Sequence, residues 1–481
     1  MLRVTAGTRV PAKGRGLCGP GSGAVVPKVR GARPGVVRRG ACPGVRAPGV
    51  SETYGPGFMT TTGVVAVHPR VKPALRRGWR DLSTVQFGMT PAQALTLGPL
   101  DSATQGFLDL LDGTRGLPLL LEEARRRDLP EGYVDGLVRG LAGAGLLDDA
   151  RGGGPEADAL RRRGEVLERL GPDLAALSLL APEPGEAMRL LAARRRARVR
   201  VQGAGRVGAL LAALLSGAGV GTAEVSDEGR VEPGDVAPGG LSADAIGEPR
   251  RDAARRAVRA ASPGRPPSRE PGPEPGFGLV VLTPRDDVGV YAPDPAAADP
   301  LIASGTPHLY AGVVEATGVV GPLVLPGETA CAGCLQQSRC DADPAWLRLL
   351  AQWRSGHRRP TLPCDLALAT TVAGLAAGHA LAFLDGRTAP AHSTRWEIST
   401  PALQWRARTI EAHPACACGA AVTGNPEGPS RVLLAEASPD VEEHPVEDSR
   451  AHETMAGQRH SMESLRPANA ARPVGTWRAH V

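Results

Sequence analysis

The stretch from Arg198 to Asp227 constrains the fold more than any other part of this chain. Val199 and Val201 alternate with Arg200 and Gln202 as in a strand. The turn Gly203-Ala-Gly205-Arg-Val-Gly208 follows, then an apolar helix through Leu215 and a second strand, Thr222–Ser226, ending on Asp227. In such a unit the first glycine permits a tight turn, the second lets a phosphate approach the backbone, and the third lets helix pack on strand. Free amides at the helix start favour an anion. Gly203, Gly205, Arg206 and Gly208 are therefore candidate phosphate-binding residues, with Asp227 placed to accept from ribose hydroxyls. Further strands are expected at Leu279–Leu282, His308–Val313 and Leu323–Leu325, and an Ala-rich helix from Asp365. Strands alternating with helices predict an α/β fold with a Rossmann-like, mostly parallel sheet.

Two close cysteine pairs follow, Cys331-Ala-Gly-Cys334 and Cys416-Ala-Cys418. Brought together, they supply the four thiolates of a closed tetrahedral zinc site, which leaves no position for water and is therefore structural. Free or disulfide-bonded thiols are the alternative. Cys364 lies just before the Ala-rich helix and is read as a small residue at a helix start, against a nucleophile there, because the neighbouring Asp365 opposes the thiolate. Cys340 is a spare thiol, Cys18 and Cys42 receive no role, and His308, His357 and His379 are read as packed or surface histidines.

Composition sets the outer boundaries. Gly and Pro, 62 and 45 in all, exceed average usage, and runs of them mark the first sixty residues, 262–276 and the chain after 420 as segments read as flexible. The net charge is +6, yet residues 1–60 carry ten Arg or Lys against one acid, Glu52. The remainder is slightly acidic, which argues against nucleic acid as a partner. The expected organisation is a disordered basic extension (1–62, with Met59 a candidate start), a small winged-helix-like module (66–150), a helical connector (151–195), a nucleotide-binding domain with a zinc clamp (196–420) and a disordered tail (421–481). Within the module, helices are expected at Thr104–Leu111, Pro118–Arg127 and Tyr133–Ala142, with a strand at Val85–Phe87. It serves either to bind a peptide or partner, or as a helical cap. The apolar run Leu366–Leu384 is long enough to span a bilayer, but it is mostly Ala, Gly and Thr with His379 inside, so a buried helix and no membrane role are expected. The N-terminus has no apolar signal-peptide core, and thiols suited to metal place the protein in the cytoplasm.

Gly219-Val-Gly221, Asp227, Val231-Glu232-Pro233, Ile246-Gly247-Glu-Pro249 and the Gly318–Gly327 run before the first cysteine pair resemble, as a set, the adenylating domain of the ThiF/MoeB and ubiquitin-activating superfamily. The resemblance spans roughly 195–420. It implies ATP- and Mg²⁺-dependent adenylation of the C-terminal carboxylate of a small carrier protein or a peptide, a structural zinc and often a homodimer. It assigns the phosphate contact to Arg250, where the family has Lys, and the Mg²⁺-adjacent carboxylate to Asp286. Two further departures stand out: Asp235 replaces the family's Asn, and Pro238 falls about where its Arg stands. Losing that cation would reduce electrostatic stabilisation of developing phosphate charge. The competing expectation is a degenerate relative that binds a precursor peptide and presents it to a separate modifying enzyme. A dinucleotide-dependent oxidoreductase is disfavoured by the cysteine quartet and the Ile246-Gly run.

Overall fold

The computed structural model describes residues 3–6, 67–267, 276–355, 361–387, 389 and 391–423. The expectation for the tail from 424, and those for His357, Cys18, Cys42 and most of the N-terminal extension, lie outside these residues.

A seven-stranded sheet organises the larger domain. Its strands are β1 (Arg198–Gln202), β2 (Thr222–Ser226), β3 (Leu279–Leu282), β4 (His308–Val314), β5 (Thr317–Val324), β6 (Thr394–Ser399) and β7 (Gln404–Thr409), in the spatial order β7-β6-β5-β4-β3-β1-β2. The β2-β1-β3-β4 half is parallel. The β4-β5-β6-β7 half is an antiparallel meander. The sheet is thus parallel where the glycine loop lies and antiparallel beyond it. Short connections such as Glu315-Ala316 allow only an antiparallel return, because a parallel crossover needs about a dozen residues.

Three helices lie side by side on one face: α1 (Arg206–Gly217) in the middle, flanked by α2 (Arg250–Ala261) and the long Leu366–Leu384 helix. Their apolar sides and the buried side chains of β1, Val199 and Val201, make the main core. The opposite face of β1 is polar. There Arg200 pairs with its cross-strand neighbour Glu224 at 2.8 Å, and its guanidinium lies 4.0 Å from the Phe277 ring centroid. Among the described residues, Leu366–Leu384 is the one helix long and apolar enough to cross a membrane. It buries Leu368, Val372, Ala376 and His379, the first three of them in the main core, and is capped by Asp365, whose side chain accepts from the Leu368 amide.

Upstream, residues 67–149 form a module with its own core of Val85, Phe87, Leu97, Phe107, Leu120 and Leu141. Its helices run Ser102–Leu108, Leu117–Arg126 and Tyr133–Gly143, and the Val85–Phe87 strand sits in an antiparallel sheet with Arg77–Trp79 and Leu95–Gly98. A fourth strand of that sheet, Arg3–Ala6, comes from the basic extension and pairs antiparallel with Leu95–Gly98. The connector is four short helices between Gly154 and Arg194 around Leu160, Leu170 and Leu191. It is tied to the module by Lys72, which donates to the Ala181 carbonyl at 2.7 Å, and by Asp148, which accepts from the Gly185 amide. It is tied to the sheet domain by a buried bidentate Arg194–Asp385 pair at 2.7 and 2.6 Å.

Candidate nucleotide site and metal centre

The glycine loop joins β1 to α1 at the C-terminal end of the parallel half-sheet, the end where open α/β sheets place their ligands. Gly203 has φ +104°, which side-chain-bearing residues rarely adopt, and a Cβ there would strike the Thr283 carbonyl. At Gly208 a Cβ would strike the Gly203 carbonyl and the Thr283 hydroxyl. That hydroxyl lies 2.8 Å from the Gly203 carbonyl and stitches the loop to the end of β3. Gly205 is the N-cap of α1 and offers no side chain to its first turn, so the helix amides remain for an anion.

The charged side chains around this loop engage one another. Asp227 accepts from the Ala204 amide at 2.8 Å, the Gly229 amide at 2.8 Å and the Arg250 guanidinium at 2.9 Å. Burial would raise the pKa of Asp227, but the two amides and Arg250 outweigh it and hold the carboxyl below its ordinary range. Arg250, 6 % exposed, also donates to Asp235 at 2.9 Å. Asp235 in turn accepts from Arg285 at 2.8 Å, and Arg285 reaches Glu232 at 2.8 Å. Among the described residues, three carboxylates and two guanidiniums thus join in one network. The Arg250 guanidinium, expected from the sequence at a phosphate, lies buried between Asp227 and Asp235, the first of them the carboxylate expected at the ribose.

Arg285 was not singled out from the sequence, though it stands directly before Asp286. Its side chain lies across the loop, with Cγ 2.9 Å from where a Gly205 Cβ would be. Asp286 is exposed and caps the short Asp287–Tyr291 helix, accepting from the Val288 and Gly289 amides at 3.1 Å each. Arg206 points to the strap before the long helix, where its guanidinium donates to the Cys364 carbonyl at 2.8 Å. The Cys364 thiol is pushed up by burial and by Asp365, against the pull of Arg206, which keeps it protonated. Asp365, not Cys364, is the N-cap. Pro238 supplies no cation.

The second cluster sits under the other half of the sheet. The Sγ atoms of Cys331, Cys334, Cys416 and Cys418 all lie within 4.8 Å of one another, with close approaches of 3.9, 3.6 and 3.5 Å. Zn–S bonds of about 2.3 Å in tetrahedral geometry put sulfurs about 3.8 Å apart, whereas a disulfide needs about 2.05 Å. The donor set therefore fits a zinc ion. Gly333 makes room for it, since a Cβ there would sit 2.8 Å from the Cys416 sulfur. The Cys331 thiol donates to Cys334 and pulls the Cys334 thiol below its ordinary range. Cys340 is outside the quartet and packs by Trp346. His308 and His379 are buried, as expected of packed histidines.

The ThiF family model matches residues 183–420, from the last connector helix through the second cysteine pair. These residues are a ThiF family domain. Among solved structures, E. coli MccB with succinimide shares the fold at a TM-score of 0.53 with 14% identity, covering 73% of this chain and 98% of its own. E. coli MccB with ATP matches at TM-score 0.51 with 15% identity, over 73% and 99% of the two chains. PaaA matches at 0.50 with 17% identity, over 70% and 99%. At this identity the likeness is one of fold, and it takes in residues outside the ThiF family domain. No curated protein matches this chain.

Proposed function

We propose that this chain handles a peptide: the 67–149 module grips it, and the ThiF-type domain receives its C-terminal carboxylate, or that of a small carrier, for ATP-dependent adenylation. The observation that carries this reading is the glycine loop closed on Thr283 with the uncapped start of α1 beside it, an anion-binding geometry in a ThiF family domain. The peptide is supported by the likeness to MccB, a microcin C7 biosynthetic enzyme solved in complex with N-formylated MccA. ATP would supply the adenylyl group. Gly203, Gly205 and Gly208 would admit its phosphates, Arg206 and Arg285 would face them, Asp227 would meet the ribose, and Asp286 is the exposed carboxylate available to Mg²⁺. The cysteine quartet would hold zinc as a structural clamp.

One observation favours a second reading, in which the domain is catalytically degenerate and presents a precursor peptide to a separate modifying enzyme. Asp227 and Arg250 satisfy each other, Arg285 is engaged by Asp235 and Glu232, and Pro238 brings no cation to a polyphosphate. ATP–pyrophosphate exchange, with and without candidate peptides, decides between the two. Exchange that disappears in Asp227→Ala supports adenylation; no exchange and no ATP binding, with a peptide bound to the module, leaves presentation.

A further inference from the structure

The module's small sheet has one strand that is foreign to it in sequence. From edge to edge the order is Arg3–Ala6, Leu95–Gly98, Val85–Phe87 and Arg77–Trp79, every pair antiparallel. Arg3 faces Gly98, Val4 faces Leu97, Thr5 faces Thr96 and Ala6 faces Leu95. The inner side of Leu95–Gly98 is closed by Val85–Phe87, and Leu97, 3 % exposed, anchors this strand in the module core. Its outer side, without Arg3–Ala6, would present a row of unpaired amides and carbonyls, the template to which extended peptides add. Arg-Val-Thr-Ala, with two adjacent β-branched residues, suits that position.

We propose that Arg3–Ala6 is an internal competitor, occupying the strand edge to which a partner peptide adds, so that peptide capture requires its release. The proposal rests on the reading of the module as the peptide grip. It specifies where the peptide lies and in what form: extended, antiparallel to Leu95–Gly98, recognised mainly through its backbone. A tethered strand competes at constant effective concentration, so its effect is a uniform weakening of every peptide that uses this edge.

The test places prolines in the competitor within the full chain, Val4→Pro with Thr5→Pro, because proline cannot donate to a ladder. The probe is a fluorescein-labelled synthetic peptide of residues 1–10, followed by anisotropy, with hydrogen exchange at Leu95–Gly98 read in parallel. The double variant should bind the probe about fivefold or more tighter than the wild type. It should also lose amide protection at Leu95–Gly98 and regain it when the probe is added. Unchanged affinity with unchanged protection overturns the proposal, and so does protection lost without any probe binding. The peptide-grip reading fails separately, if candidate precursor peptides do not displace the probe from the double variant while the self-pairing result stands.

Discussion

The two ends of the ThiF family domain handle their functional side chains in opposite ways. At the cysteine quartet, four like groups converge at distances that suit a single ion. At the glycine loop the backbone is shaped for an anion, yet the surrounding acids and bases have closed on one another. A site made of identical donors advertises its ligand, because only a third body can satisfy them all. A site made of opposite charges can satisfy itself, so its geometry alone does not reveal what it once held or still holds.

The sharpest break of this comparison comes from the metal side. Cys334→Ser should lose about one zinc per chain and cost several kcal/mol, since structural zinc contributes folding energy outright. Metal content by mass spectrometry and the melting temperature check it; a metal-free wild type of undiminished stability would refute the clamp. Next in size is Arg250→Ala. It leaves Asp227 and Asp235 buried without their shared cation and should cost about 3–5 kcal/mol in urea unfolding. Because Asp227 is held below its ordinary range, its share of the network's stability is present above about pH 4 and is lost as pH falls further. The variant should therefore show a flatter acid limb. A variant as stable as the wild type would mean that the network is decoration.

His379 gives a related pH effect of about 3 kcal/mol at most. Burial lowers it to about 4, whereas an unfolded histidine titrates near 6.5. Between those values the unfolded chain binds the extra proton, so stability should decline as pH drops from about 6.5 to about 4. His379→Leu should remove that part of the decline, and parallel curves for the two proteins would show that the ring does not titrate as described. The smallest effect expected is from Arg285→Ala. Its partner Glu232 is largely exposed, and buried Asp235 keeps Arg250 when Arg285 is lost, so about 1–2 kcal/mol is anticipated. The same variant sharpens the functional question: weakened ATP binding would place Arg285 on the phosphates, and unchanged binding would confine it to the network.

Much of the site was legible in the chain because its signals are local. The glycines and Asp227 announce themselves through a strand, a turn and a helix that are consecutive in sequence. The cysteine pairs do so through chemistry, since four thiols in two doublets have few uses. Arg250 and Asp227 were both named from the sequence, for a phosphate and a ribose, but their pairing was not, because it joins the start of α2 to the end of β2 and to Asp235. Arg285 was missed for the same reason: nothing adjacent to it in sequence says that it lies across Gly205. The directions of β4 and β5 relative to one another depend on how the loop between them returns.

What the amino-acid order determined by itself was the list of parts: a nucleotide-type loop, an acid at the end of the second strand, a thiol quartet and a buried Ala-rich helix. Those depend on spacing and residue type, which are properties of the chain. The tertiary structure decided how the parts are spent. It turned Arg250 inward to Asp227, laid Arg285 over the loop, and set Arg3–Ala6 on an edge far along the chain. Charge pairing and strand pairing act through space, and no local pattern carries that information.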